Sequence, residues 1–197
     1  MSITGRQEQF LRSSLRHLSA LRGARYDKTG PFPEGWFDVP DQHLADLGAM
    51  FFLISMSSYH KHRPLAEIYA SLEMPLRLSQ YRIFRSNGFP RAFVTWAGLD
   101  QPAEMRFAIK HKPLRKEQWN IGPSLWVVDL AAPFGHLDQV ISVMAANRQT
   151  NRVRTLWHNK AGTRARVIEW TRATSEAEIK VTSYGHVQFK RLLEQEV

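Results

Sequence analysis

The sequence predicts an α/β layered fold in which a mixed, largely antiparallel sheet is flanked by helices. Three observations carry this prediction. Apolar runs at helical spacing alternate with β-branched and aromatic runs, in the order helix, helix, strand, strand, helix, strand, helix, strand, strand. Asn87-Gly88 joins two of the strand-like runs, and this dipeptide is the strongest short hairpin signal. Ser124 to Ala132 contains the nearly continuous apolar run Leu125, Trp126, Val127, Val128 and Leu130, as a strand covered on both faces requires.

The elements follow in order. Leu11, Leu15, Leu18 and Leu21 form a helical stripe, with Arg12, Arg16 and Arg22 lying away from it. The Gly/Pro-rich stretch Gly30 to Gly35 closes this segment, so residues 1–40 read as an N-terminal helical arm and linker and 41–197 as the body. Packing on the body or on a second subunit, as in a homodimer, would cover the stripe. Gln42 to Met56 predicts a buried helix, and Pro64 opens a second one running to about Glu73. Gln80–Arg85 and Arg91–Leu99 are the hairpin strands, and Asp100 is placed to cap a helix leading into Met105 to Ile109. After the apolar strand, Pro133-Phe134-Gly135 makes a turn and Leu137 to Ala146 a helix. Val153–His158 and Arg164–Trp170 are strands joined through Asn159 to Gly162, and Val187 to Glu194 closes the chain as a helix.

The 197 residues hold 27 Lys+Arg against 18 Asp+Glu, a formal net charge of +9, and no Cys. The lack of Cys excludes disulfides, zinc ribbons, iron–sulfur clusters and a cysteine acyl-enzyme. The longest apolar stretch, Leu47 to Met56, is too short to span a bilayer, and Arg6, Glu8, Arg12 and Arg16 interrupt any signal-peptide core. A cytoplasmic protein without stable membrane insertion is expected. The positive balance favours acidic partners. It is spread from Arg6 to Arg191 without a helix-turn-helix or RNP pattern, so nucleic acid is not the expected one.

Asp129 stands inside the apolar strand, where a lone carboxylate is costly, and so it needs a partner: an Arg, a cluster of backbone N–H groups, or a His. His60 and His62 lie at a loop-to-helix junction beside Lys61 and Arg63, whose charges favour neutral imidazole. Such a pair reads either as a solvated basic loop or as a working base. Neither HExxH nor a Cys/His spacing appears, so no metal is expected, and isolated Gly122 and Gly135 give no phosphate cradle.

Taken together, Ser57-Ser58-Tyr59-His60 with Pro64 four residues on, the Gln80-Tyr81 hairpin leading to Thr95-Trp96-Ala97, Trp119, and Val128-Asp129-Leu130-Ala131-Ala132-Pro133-Phe134-Gly135 form one constellation. It resembles the RTX toxin-activating lysine acyltransferases, the hemolysin-activating protein C type, from about Gly48 to Asn147. The resemblance implies a GNAT-like acyltransferase fold and transfer of a fatty acyl chain from acyl-acyl carrier protein to internal lysines of an RTX protoxin. It maps catalytic positions onto His60 and Asp129, with Ser57 as a supporting position. His62 has no counterpart.

The resemblance also implies that no cofactor is bound: the donor is acyl carrier protein, whose phosphopantetheine arm removes the need for a pyrophosphate loop. Acyl carrier proteins are acidic, which suits a basic chain. Direct transfer to lysine and transfer through an acyl-enzyme at Ser57 or His60 both remain open at this stage. The competing reading from another class is a non-catalytic basic adaptor or chaperone for an acidic protein.

Overall fold

A computed structural model describes residues 41–147, 150–159, 164–174 and 177–196; the leucine stripe, the Gly30 to Gly35 boundary and most of the 159–162 turn lie outside the described residues. Helix α1 (Asp41–Met56) buries Met50, Leu53 and Ile54, as its all-round apolar second half requires. Helix α2 (Leu65–Arg77) starts after Pro64, which needs no N–H there. It continues past the expected end at Glu73 and accommodates Pro75 in its last turn, where the Pro75 carbonyl accepts from the Gln80 N–H at 2.8 Å.

Strands β1 (Tyr81–Ser86) and β2 (Phe89–Leu99) form the expected hairpin. Asn87 and Gly88 both take positive φ, 52° and 77°, the backbone shape that favours this dipeptide in a two-residue hairpin turn. Asp100 caps the next helix by accepting from the Ala103 N–H at 2.9 Å; α3 (Gln101–Glu104) makes one turn before widening into a π turn at Met105–Ile109. The loop that follows returns across β2. A Cβ on Gly122 would collide with the backbone of Leu99 and Asp100, so this glycine permits backbone to lie on backbone.

Strand β3 (Ser124–Ala131), helix α4 (Leu137–Ala145), strands β4 (Arg152–His158), β5 (Ala165–Thr171) and β6 (Lys180–Tyr184), and helix α5 (His186–Gln195) complete the chain. The six strands lie in sequence order, and every neighbouring pair is antiparallel except β3 and β4. A parallel pair needs a crossover, and α4 supplies it. Strand β6 is additional to the strands expected from sequence.

Two apolar cores sandwich the sheet elements. Helices α1 and α2 pack on Phe93 and Ala131, while Ala103, Trp126, Phe189 and Leu193 belong to the second core, with α3 and α5. Beside the second core Arg154, fully buried, donates to Glu104 at 2.7 Å, to Glu169 at 2.6 Å and to Glu196 at 2.8 Å. Glu104 also accepts from Ser124 Oγ and Trp126 Nε1, and Glu169 from Tyr184, so the buried charges are paired and their remaining lone pairs engaged.

Candidate active site

Strands β3 and β4 are registered only at Trp126 with Arg154 and Val127 with Thr155. Thr155 Oγ1 donates to the Val127 carbonyl at 3.2 Å at that seam. Beyond it the strands no longer pair, and both border a cavity of about 1350 Å³. The cavity is also bordered by Ser57 to His60 from the loop after α1 and by Leu137, Ile141 and Met144 of α4.

A register shift against β2 leaves Val128 as an extra residue between the pairs Thr95 with Asp129 and Trp96 with Val127. Such a bulge re-aims the side chains around it. Asp129 thereby meets the loop after α1, and its carboxylate Oδ1 lies 2.7 Å from His60 Nε2. Oδ1 also accepts from the Leu130 N–H at 2.9 Å, and Arg63 Nη1 stands 3.6 Å from Oδ2. Of the partners open at the sequence level, a His and an Arg are both present, and in place of a cluster of backbone N–H groups there is the one from Leu130. The His is close and buried, 2% exposed, whereas Arg63 is 31% exposed.

His60 uses its other nitrogen as well. The tight turn after α1 brings Ser57 Oγ within 2.8 Å of Nδ1, three residues back along the chain. A carboxylate only accepts hydrogen bonds, so Nε2 carries the proton and Nδ1 offers its lone pair to the Ser57 hydroxyl. Ser57, His60 and Asp129 thus form one bonded series of hydroxyl, imidazole and carboxylate. This arrangement can accept a proton at the hydroxyl end and stabilise the resulting imidazolium at the carboxylate end. His62 is exposed on the same loop and is not part of the series.

Two further residues stand beside the series: Tyr59, expected only as part of the Ser57-Ser58-Tyr59-His60 motif, and His158, expected only as the end of a strand. Tyr59 packs edge-on against His60, with ring centroids 4.8 Å apart, and its hydroxyl lies 3.1 Å from His158 Nδ1 at the end of β4. Burial, and then the Asp129 charge, push the Tyr59 phenol up against the opposing pull of Arg63. Burial and then His111 hold His158 below its usual value, with Asp129 pulling the other way. No sequence pattern joins residues 99 apart, so this pair had no local signal. No group of three or more His, Asp or Glu suited to a metal occurs among the described residues.

Residues 39–171 match the RTX toxin acyltransferase family. The chain is similar to the protein-lysine palmitoyltransferase CyaC of Bordetella bronchiseptica, at 31% identity over 133 residues, 66% of this chain and 72% of that protein. It is also similar to the leukotoxin-activating lysine-acyltransferase LktC serotype A1 of Mannheimia haemolytica, at 31% over 90 residues, 46% and 54% of the two chains. A third similarity, 28% over 92 residues and 47% and 55% of the chains, is to the protein-lysine myristoyltransferase RtxC of Kingella kingae. The family match takes in every residue of the bonded series and extends past Asn147 into β4 and β5. The chain belongs to the RTX toxin acyltransferase family, the toxin-activating lysine acyltransferases.

Proposed function

We propose that the chain moves a fatty acyl group from acyl-acyl carrier protein to internal lysines of an RTX protoxin. The observation that carries this reading is the Ser57–His60–Asp129 series at the wall of a large cavity whose lining includes Leu137, Ile141, Met144, Val153 and Trp170. Apolar side chains suit an acyl chain, and a base suits the acceptor, because a lysine ammonium has a reference pKa near 10.4 and only the free amine attacks a thioester. The unpaired stretch between β3 and β4 suits the amide-bearing arm of a carrier protein. A splayed parallel pair inside an otherwise antiparallel sheet supports a GNAT-like fold. The net charge of +9 suits an acidic carrier.

In the mechanism, neutral His60 accepts the proton of the attacking amine at Nδ1. Since Ser57 Oγ occupies that nitrogen, the proton passes through the serine hydroxyl, which receives one proton as it gives up another. Asp129 keeps the imidazole in the Nε2–H tautomer and balances the positive charge that forms. His60 then returns the proton to the departing thiolate.

The same 2.8 Å contact favours a second reading, in which Ser57 itself takes the acyl group before lysine does. Intact mass after mixing the protein with acyl-acyl carrier protein alone separates the two. Direct transfer leaves the mass unchanged; an adduct that disappears in Ser57→Ala establishes the acyl-serine. Absence of acyl transfer when donor and protoxin are both supplied would overturn the proposed function.

A further inference from the structure

An ammonium that becomes an amide nitrogen loses two protons, while the Ser57–His60–Asp129 series can hold only one at a time. The first must leave before attack, because a protonated amine has no lone pair to offer. The cavity contains a second hydroxyl beside an imidazole. Tyr59 Oη lies 3.1 Å from His158 Nδ1, their rings are stacked with centroids 5.3 Å apart, and Tyr59 touches His60 edge-on. All three residues line the cavity with Ser57, and Tyr59 is 49% exposed, which leaves this side chain open to a lysine entering from solvent. His60 has both nitrogens engaged, which leaves His158 as the imidazole toward which Tyr59 can pass a proton.

We propose that Tyr59 and His158 are a second proton-accepting pair, which strips the lysine ammonium to the free amine before Ser57 and His60 take the second proton. This rests on the proposed lysine acyl transfer. One ammonium N–H bond breaks as its proton passes to Tyr59 Oη, while the Tyr59 proton passes to His158 Nδ1. His158 gives that proton to solvent. The amine lone pair then forms the C–N bond, and the carbonyl π pair moves to oxygen. The second N–H proton passes through Ser57 to His60, the oxyanion pair re-forms the carbonyl as the C–S pair leaves with sulfur, and the sulfur takes its proton from His60. One proton is released to solvent for each amide formed.

The surroundings of the pair decide how long each group holds the proton. His158 faces His111 from the loop after the π turn and Asp129 from β3; Tyr59 faces Asp129 and Arg63. Burial raises the phenol and lowers the imidazole, with Arg63 opposing the first and Asp129 the second, so Tyr59 keeps a proton to relay and His158 holds the one it receives only until solvent takes it.

The test uses the full chain, palmitoylated acyl carrier protein, and a protoxin fragment with one target lysine that the wild type acylates. A second fragment carries aminoethyl-cysteine at that position, whose ammonium is more acidic. Tyr59→Phe keeps the ring on His60 and removes only the hydroxyl; His158→Gln removes the imidazole. Both variants are expected to lose roughly 10²-fold in kcat at about pH 7 with lysine. The loss should shrink as pH rises toward about 9.5, where solvent deprotonates more of the lysine, and should be smaller with aminoethyl-cysteine. A loss independent of both pH and acceptor would show a merely structural pair and overturn the proposal, as would full activity of Tyr59→Phe at neutral pH. Failure of the wild type to acylate a lysine in any protoxin fragment would instead overturn the proposed transfer itself.

Discussion

Arg63 Nη1 stands 3.6 Å from Asp129 Oδ2, while His60 holds the other carboxylate oxygen at 2.7 Å. The carboxylate therefore serves a buried imidazole with one oxygen and a partly solvated guanidinium with the other. The two contacts differ in energetic weight. Solvent screens the longer, exposed one, so its removal costs little, whereas the short bond to His60 fixes the tautomer that the proposed chemistry uses.

Asp129→Asn tests that distinction. It preserves shape and leaves Arg63 free to turn to water, so the denaturant midpoint should report a loss within about 1–2 kcal/mol. The acylation rate of the same preparation should fall by about 10² or more, because the imidazolium loses its counter-charge. A variant destabilised by about 3–5 kcal/mol but fully active in its folded fraction would instead assign the carboxylate a structural ion pair.

His60→Ala and His62→Ala form a matched contrast on one turn. The first removes the centre of the bonded series and should abolish transfer with the fold retained. The second removes an exposed ring and should leave most activity. Near-equal rates for the two variants in an acylation assay would rule out His60 as the base.

Arg154→Met should cost about 3–5 kcal/mol in denaturant unfolding, because Glu104 and Glu169 would remain buried without their cation. Arg152→Ala, at an exposed contact to Glu196, should cost about 1 kcal/mol or less. Burial pushes the Glu196 carboxyl up, but Arg154 and then Arg152 outweigh it and hold it low. Its contribution is complete above the ordinary value of 4.5 and is lost as pH falls through the lower folded value, so Glu196→Gln should flatten the acid limb of a stability profile.

His158 sets a second limb. Its folded pKa lies below the ordinary 6.5, so the unfolded chain binds the proton more readily. Stability from this group is full above about 6.5 and is lost as pH falls through the folded value. Denaturant midpoints measured between about pH 7 and pH 5 should fall less steeply in His158→Gln than in the wild type.

What the sequence made legible was whatever is local or strongly patterned. Asn87-Gly88 announces its hairpin, the Leu125 to Leu130 run its buried strand, and Asp100 its cap. Ser57 and His60 fall three residues apart in a turn, so their contact is close to a spacing argument. Strand β6, Lys-Val-Thr-Ser-Tyr, escaped because a short edge strand with exposed polar residues reads as loop. Arg154 escaped for a different reason: Arg152 and Arg154 occupy the same strand, yet one is exposed and the other fully buried. Partners 15 to 50 residues away make that difference, and no periodicity encodes them. The bulge at Val128 likewise breaks the alternation by which faces are assigned.

The sheet is two meanders sharing one short parallel seam. The β1–β2, β4–β5 and β5–β6 ladders join positions close in sequence, whereas β2 and β3 pair across 25 to 38 residues and the seam joins positions 28 apart over two registered pairs. Chain-closure entropy is therefore similar for the β2–β3 ladder and the seam, but the ladder gains seven registered pairs and the seam two, so the seam is the weaker joint between the meanders. Glu104, Ser124 and Trp126 from the first part of the chain converge on Arg154, Glu169 and Glu196 from the second, making this buried cluster the rivet between the halves. The wall containing Asp129 and the wall containing His158 thus meet over two registered pairs, and the width of the cleft between them is held by the rivet at its far side.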